Sequence, residues 1–270
     1  MSILIGSSQR HNARMCTFKS PSRSEKDVLN DMEHIFKSLG LTVVRPKASP
    51  VIDTICRSIW VRDSSLNVDN NIIMLPGWSK GRKDEWKTHP YANSSVVAPH
   101  GKELIEGGDI IQYRDLLVIG LGKRTNKAGV LWLSKYLKSI GLKKKIITVP
   151  HTALHLDCCL CILPGGELIY AKWYIKNIPV ALKREVQMQV FELEDIIGNQ
   201  VEPNLATNMV VVGSDVLVTT DQPRYTKLRE FLRGRGYTVL EVEYGTMWKL
   251  GGGIRCLTQW LNLPDESDVF

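Results

Sequence analysis

The sequence predicts an α/β fold, a five-bladed α/β propeller of repeated ββαβ modules. Two observations predict it: the order strand, strand, helix, strand recurs along the chain, and the first module lacks one strand, which a C-terminal apolar segment would supply. Pairing the two ends of the chain in this way closes the modules into a ring.

The clearest module covers residues 109–149, where two apolar segments flank a short polar turn. A helix then runs to a glycine, and a third apolar segment ends at a proline. The predicted elements are the strands Ile110–Tyr113 and Leu116–Ile119, a helix from Thr125 to about Ile140, and the strand Lys145–Val149.

Two later segments repeat this order, and a fourth hairpin lies earlier in the chain. The predicted elements are strands Leu156–Leu163 and Glu167–Ala171 with helix Pro179–Gln187; strands Val210–Val212 and Val216–Thr219 with a helix from Pro223 to about Gly234 and strand Tyr237–Glu241; and the hairpin Trp60–Val68 with Ile72–Leu75.

The N-terminal segment supplies two strands and a helix of the remaining module. Strand Ile3–Ile5 precedes a helix from Ser24 to Leu39, which has a serine cap, an apolar face and a glycine stop. Strand Thr42–Val44 follows, and Arg255–Leu261 is the segment predicted to complete the module.

The composition is that of a soluble globular protein. With 43% hydrophobic and 23% charged residues, the chain is neither disordered nor collagen-like. Its longest apolar runs, such as Cys158–Leu163, fall far short of the ~20 residues of a membrane helix. Residues Met1–Phe18 carry polar and basic side chains where a secretory signal is apolar. We therefore expect a single cytoplasmic domain, residues 1–270, with no membrane partner.

The net charge of +7 raises the question of a nucleic-acid partner. The basic residues are scattered, however, and Lys143–Lys145 is the one dense run. Aromatic residues do not alternate with the basic ones as they do in a stacking surface. A solvated lysine-rich surface explains the charge, and we expect no nucleic-acid partner.

The six cysteines do not form a metal-binding pattern. They stand at positions 16, 56, 158, 159, 161 and 256, and a zinc site would need a second pair at ligand spacing. Cys56 and the cluster 158–161 lie in apolar, strand-like surroundings, where reduced buried thiols are expected. Cys256 differs because it closely follows three glycines.

An unusual set of polar residues falls beside or within the first strands of the modules, which would meet at the centre of the ring. The set is Asp63, Glu106, Asp109, His155, Asp157 and Cys256. His155 and Asp157 are two residues apart, so on a strand they would point to one face.

Each of these residues also has a structural interpretation. Asp63 could cap a turn, and Glu106-Gly-Gly-Asp109 could be a loop that uses the φ freedom of glycine. A single histidine is more often structural than catalytic, and a buried cysteine such as Cys256 is usually inert. Their joint occurrence over successive modules favours a shared functional site.

These residue types suit chemistry on a guanidinium group. Carboxylates around a planar cation accept paired hydrogen bonds, and Asp63, Glu106 and Asp157 would supply them. A thiolate at Cys256 would attack the electrophilic central carbon. His155 would transfer protons to the leaving amine and from water.

The motifs Arg62-Asp63, Glu106-Gly-Gly-Asp109, His155-Leu-Asp157 and Gly251-Gly-Gly-Ile-Arg-Cys256 resemble those of the guanidino-group-modifying superfamily, in the same order. This superfamily holds arginine deiminase, dimethylarginine dimethylaminohydrolase and the amidinotransferases. The resemblance implies a pentein-like propeller without a cofactor and a covalent thiouronium intermediate on Cys256. It also implies that His155 is the acid and base, that Glu106 orients it, and that Asp63 and Asp157 hold the guanidinium nitrogens.

Two arginines are candidates to bind a substrate carboxylate. Arg124 lies in a segment similar to one in the dimethylarginine hydrolases, although it could simply enter a helix, and Arg82 follows the Trp60–Leu75 hairpin. The motifs fit a hydrolase that gives a ureido product such as citrulline. Alternatives are an amidinotransferase with an acceptor amine, which shares every one of these residues, and a non-catalytic binding propeller. The exact guanidino substrate and the oligomeric state stay open.

Overall fold

The computed structural model describes residues 1–5, 24–46, 59–79, 82–186, 189–245 and 247–261. Some features considered from sequence lie outside the described residues, namely Cys16, Cys56, most of Met1–Phe18 and the predicted helix end at Gln187.

The described residues form five three-stranded sheets, which is the predicted five-bladed α/β propeller. In each sheet the middle strand pairs antiparallel with one neighbour and parallel with the other. The strands are β1 Ser2–Ile5, β2 Thr42–Val44, β3 Ser65–Val68, β4 Asn71–Met74, β5 Val96–Val97, β6 Ile110–Tyr113, β7 Leu116–Leu121, β8 Lys145–Pro150, β9 Leu160–Ile162, β10 Leu168–Tyr170, β11 Val190–Glu192, β12 Val210–Val212, β13 Val216–Thr220, β14 Thr238–Val242 and β15 Thr258–Trp260.

The two ends of the chain meet in one sheet, as predicted. Strand β15 pairs antiparallel with β1, which joins Ile3 to Trp260 and Ile5 to Thr258, and β1 pairs parallel with β2. This pairing brings the residues just before β15 into the same centre as the loops of the other modules.

In four modules of the described chain a helix connects the middle and third strands, namely α1 Glu25–Ser38, α3 Lys127–Ser139, α4 Val180–Val186 and α6 Thr226–Gly234. Two shorter helices lie elsewhere: α2 Val61–Ser64 precedes β3, and α5 Leu193–Ile197 follows β11. A reciprocal capping box between Ser24 and Asp27 fixes the start of α1, which buries Val28, Met32 and Phe36. Between β4 and β5 the described residues form short 3₁₀ segments, at the place where the other modules have an α-helix. No described helix combines the length and apolarity that crossing a membrane requires.

Three predicted strands begin later than expected, because a helical turn precedes each. Residues 61–64, 156–158 and 255–257 each form one turn, so β3, β9 and β15 begin at Ser65, Leu160 and Thr258. The backbone N–H of Asp63 donates to Trp60 O and that of Cys158 to His155 O, which closes two of these turns. The prediction that His155 and Asp157 share a strand face was therefore wrong.

Candidate active site

Asp63, Glu106 and His155 meet at the centre of the propeller. His155 Nε2 lies 2.7 Å from Glu106 Oε2, and His155 Nδ1 lies 3.6 Å from Asp63 Oδ1. All three side chains are buried, and Asp63 Oδ1 has no hydrogen-bond partner among the described residues. The imidazole is thus held between two carboxylates, one of which keeps an open acceptor.

The two carboxylates determine the protonation of His155. Burial opposes the charged imidazolium, but the charge of Asp63 and the hydrogen bond to Glu106 outweigh it and raise the pKa of His155 well above its usual value. Burial also opposes the Glu106 carboxylate, yet the hydrogen bond and charge of His155 lower the pKa of Glu106 to about 2. Both shifts favour the charged pair of a His155 imidazolium and a Glu106 carboxylate.

The two glycines after Glu106 are required by close packing. A Cβ on Gly107 would lie 2.0 Å from the backbone oxygen of Arg62, and one on Gly108 would lie 2.7 Å from His155 Cγ. Neither glycine has a positive φ. These two glycines are therefore needed because neighbouring chain segments approach them closely. They are not needed for a positive φ, which was the structural interpretation of this motif from sequence.

Arg82 is engaged inside the protein. Its NH1 lies 2.8 Å from Asp63 Oδ2, and its NH2 lies 2.7 Å from Glu85 Oε2. Burial opposes this cation, but Asp63 and Glu85 together raise the pKa of Arg82. The role of Arg82 as a clamp for the substrate carboxylate stays a prediction, and it would compete with the ion pairs that Arg82 makes with Asp63 and Glu85.

Arg124 lies on the other side of Glu106. Its NH1 is 3.7 Å from Glu106 Oε1, and its guanidinium carbon lies 4.9 Å from the centre of the Trp78 ring. The same Glu106 oxygen accepts a hydrogen bond from the backbone N–H of Trp78 at 2.6 Å. Arg124 NH1 has no hydrogen-bond partner within the described part of the chain, which leaves it able to bind an anion.

Cys256 lies in a second cluster with Asp157 and Cys158. Their two sulfur atoms and one carboxylate oxygen all lie within 4.8 Å of one another. Asn208 Nδ2 donates a hydrogen bond to Cys256 Sγ at 3.1 Å, and Asn208 Oδ1 accepts one from the backbone N–H of Cys256 at 3.2 Å. One side chain thus fixes both the backbone and the sulfur of the candidate nucleophile.

Asp157 is paired with an arginine of the protein. Arg255 NH1 donates to Asp157 Oδ2 at 2.7 Å, and Arg255 NH2 donates to the backbone oxygen of Ile110 at 2.9 Å. Burial raises the pKa of Asp157, and the charges of Arg255 and His155 counteract that rise. The turn that carries Asp63 packs against the turn that carries Cys256, so the two clusters border each other.

Sequence reasoning missed Asn208, Cys158 and Arg255. Asn208 stands just before β12, as Asp63 and Asp157 stand before β3 and β9, so comparing the modules position by position would have singled it out. Cys158 and Arg255 are the chain neighbours of predicted site residues, but nothing in the sequence tells where their side chains point.

The arrangement joins a thiol, an acid and several carboxylates. Each cluster of three contains groups that bind divalent cations, namely Asp63, Glu106 and His155 in one and Asp157, Cys158 and Cys256 in the other. In the first, protonated His155 is already hydrogen-bonded to Glu106, which disfavours it as a metal ligand. The absence of a metal stays a prediction.

Comparison with known proteins places this site in a family. The sequence profile of arginine deiminase matches residues 28–202, a range that includes Asp63, Glu106, His155 and Asp157 but ends before Cys256. Over 209 residues the chain is 27% identical to an N(G),N(G)-dimethylarginine dimethylaminohydrolase of Pseudomonas aeruginosa, covering 74% of this chain and 75% of that protein.

A second relative is a bifunctional arginine dihydrolase/ornithine cyclodeaminase of Nostoc. It is 28% identical over 222 residues, which cover 78% of this chain and 30% of that protein. Three further relatives are matched over 51%, 53% and 30% of their own length. The solved structure of an amidinotransferase from Microseira wollei, in the saxitoxin pathway, superposes with a TM-score of 0.78 at 16% identity, covering 98% of this chain and 94% of that one. This likeness shows that the fold is shared.

Proposed function

Because the chain belongs to the arginine deiminase family and is therefore an enzyme that acts on guanidino carbon–nitrogen bonds, we propose that it hydrolyses the guanidino group of arginine or an arginine derivative. The product is a ureido compound such as citrulline. The observation that carries the proposal is the position of His155, held between Asp63 and Glu106, beside the cluster that contains Cys256.

The residues divide the reaction between them. The Cys256 thiolate attacks the guanidinium carbon, a carbon–sulfur bond forms, and the amine leaves with a proton from His155. Water then attacks the thiouronium carbon after giving a proton to His155, and the carbon–sulfur bond breaks to release the ureido product. The high pKa of His155 suits the first of these proton transfers.

Substrate binding uses the open groups around the clusters. Asp63 Oδ1 accepts from one guanidinium nitrogen, and Asp157 accepts from another once Arg255 has withdrawn from it. Arg124, whose NH1 has no hydrogen-bond partner among the described residues, meets the α-carboxylate of the substrate. Dimethylation would remove donors and leave one carboxylate buried without a partner, at a cost of about 1–3 kcal/mol. We therefore propose arginine, rather than dimethylarginine, as the preferred substrate.

A substrate panel tests the proposal. Arginine, asymmetric dimethylarginine and agmatine are each incubated with the protein, with and without glycine as an acceptor amine, and ureido product, released amine and amidino-glycine are measured. Hydrolysis of arginine without dependence on glycine is expected. Product that forms only with glycine would identify an amidinotransferase, and a higher kcat/KM for dimethylarginine would refute the argument from two carboxylates.

The Cys256→Ala variant is the matched control for this panel. It is expected to bind arginine without releasing ammonia or amine, because no carbon–sulfur bond can form. Turnover by this variant at the wild-type rate would remove Cys256 from the proposed reaction. If no tested guanidino compound is turned over by the wild-type protein, the binding-propeller alternative gains support.

A further inference from the structure

A second thiol stands beside the candidate nucleophile. The sulfur atoms of Cys158 and Cys256 lie within 4.8 Å of each other, and the Cys158 thiol donates to Asp157 Oδ1 at 3.6 Å. Both cysteines are buried, with exposed fractions of 1% and 4%. The proposed hydrolysis uses Cys256 alone, so the placement of Cys158 has no part in it.

We propose that Cys158 is a resolving thiol for Cys256, so that hydrogen peroxide converts the pair into a reversible disulfide at the centre of the propeller. The inference rests on the proposed function in one respect only, which is that Cys256 is the more reactive of the two thiols. The proposed disulfide makes Cys256 a site of oxidative modification and gives Cys158 a chemical role.

Oxidation proceeds in two balanced steps. The Cys256 thiolate attacks hydrogen peroxide, the oxygen–oxygen bond breaks, and Cys256 becomes a sulfenic acid while hydroxide leaves. The Cys158 sulfur then attacks the Cys256 sulfur, a disulfide bond forms, and the sulfenic oxygen leaves as water with the proton of Cys158. Overall, two thiols and one peroxide give one disulfide and two waters.

The surroundings assign the order of the two cysteines. The neighbouring Cys256 sulfur, then burial and the charge of Asp157, raise the pKa of Cys158 well above its usual value, so Cys158 keeps its proton. Cys256, by contrast, accepts a hydrogen bond from Asn208. As the nucleophile of the proposed reaction, Cys256 is the thiol that reacts with peroxide first.

The neighbouring cysteine is an internal control. Cys159 directly follows Cys158, but its thiol donates to the backbone oxygen of Leu156 at 3.4 Å. Burial raises the pKa of Cys159, as it raises that of Cys161 to about 12. Cys159 shares burial and sequence position with Cys158 but lacks its contact with Cys256, so only Cys158 is placed to resolve the sulfenic acid.

The test compares the wild-type protein with Cys158→Ala and Cys159→Ala. Each protein is treated with limiting hydrogen peroxide, its free thiols are alkylated, and its peptides are mapped by mass spectrometry before and after dithiothreitol. The wild type and Cys159→Ala are expected to give a peptide linked through Cys256, which dithiothreitol separates. Cys158→Ala is expected to lack it and to accumulate at least about fivefold more sulfinic and sulfonic acid at Cys256.

Three results would overturn the inference: an over-oxidised Cys256 in the wild type without the linked peptide, an unmodified Cys256, or a link that survives in Cys158→Ala. Peptide mapping does not depend on turnover. A protein that forms the reversible link but hydrolyses no guanidino compound would refute the proposed function alone. One that hydrolyses arginine without forming the link would refute this inference alone.

Discussion

Arg255 donates a hydrogen bond at 2.7 Å to Asp157, so a guanidinium of the protein occupies a carboxylate proposed to hold the guanidinium of the substrate. Asp157 is fully buried, and Arg255 is the residue directly before Cys256. A substrate guanidinium that binds Asp157 Oδ2 must therefore displace Arg255, and such a movement would also act on the backbone of Cys256.

Removing Arg255 should destabilise the protein in a way that a small cation reverses. Arg255→Ala leaves Asp157 buried without its partner, and a loss of about 3 kcal/mol in the free energy of unfolding is expected. Millimolar ethylguanidinium should restore part of that loss, as measured by thermal unfolding. Arg235→Ala, which breaks a partly exposed pair with Glu167, should lose less than about 1 kcal/mol and gain nothing from the added cation. Equal responses of the two variants would contradict this interpretation.

Asp63 and Glu85 both pair with Arg82, but only Asp63 also faces His155. Asp63→Asn should lower kcat/KM by at least ~100-fold, equivalent to about 3 kcal/mol, because it removes a charge proposed to hold the substrate and the acid. Glu85→Gln should lower the melting temperature through the same arginine, with a much smaller kinetic effect. Steady-state kinetics and melting curves of both variants decide whether Asp63 acts in the site or only in the ion pair.

The pair of Glu106 and His155 should make stability depend on pH. The raised pKa of His155 adds stability below about pH 6.5 that is lost as the pH rises through the folded-state pKa. The lowered pKa of Glu106 adds stability above about pH 4.5 that is lost as the pH falls toward 2. The penalty of Glu106→Gln in urea unfolding should therefore be largest between pH 4.5 and 6.5.

The control for that profile is Glu185→Gln. This change removes the ion pair between Glu185, on the exposed helix α4, and Lys145. Its penalty should stay small over the same range of pH, because screening by solvent weakens the pair. If the loss of unfolding free energy in Glu106→Gln does not change with pH, the charges of Glu106 and His155 do not stabilise the fold.

Asp109 links the site to the neighbouring strand end and is predicted to be a positioning residue. Its Oδ1 accepts a hydrogen bond from the backbone N–H of Leu156 at 2.8 Å and lies 3.0 Å from His151 Nε2. Asp109→Ala should lower kcat while changing KM little, since Leu156 directly follows His155. Asp115→Ala, which removes only an exposed partner of Lys144, should leave both constants near wild type. A change in KM alone for Asp109→Ala would contradict the positioning role.

The sequence by itself determined the architecture. The alternation of apolar segments, turn residues and helix caps is local, so the four hairpins and their modules could be predicted, with β2, β6 and β12 at the predicted bounds. Glu106 and His155 could also be singled out, because carboxylates and histidines beside apolar strands are rare enough to be noticed.

Only the tertiary structure decided which of those residues touch. His155 and Glu106 are 49 positions apart, Asn208 and Cys256 are 48 apart, and Arg255 and Asp157 are 98 apart. Their contacts depend on how the modules close into a ring and on helical turns that rotate each side chain before its strand begins. Local propensity carries no information about either, because the free energy of such long-range pairs is gained only when the whole propeller has formed.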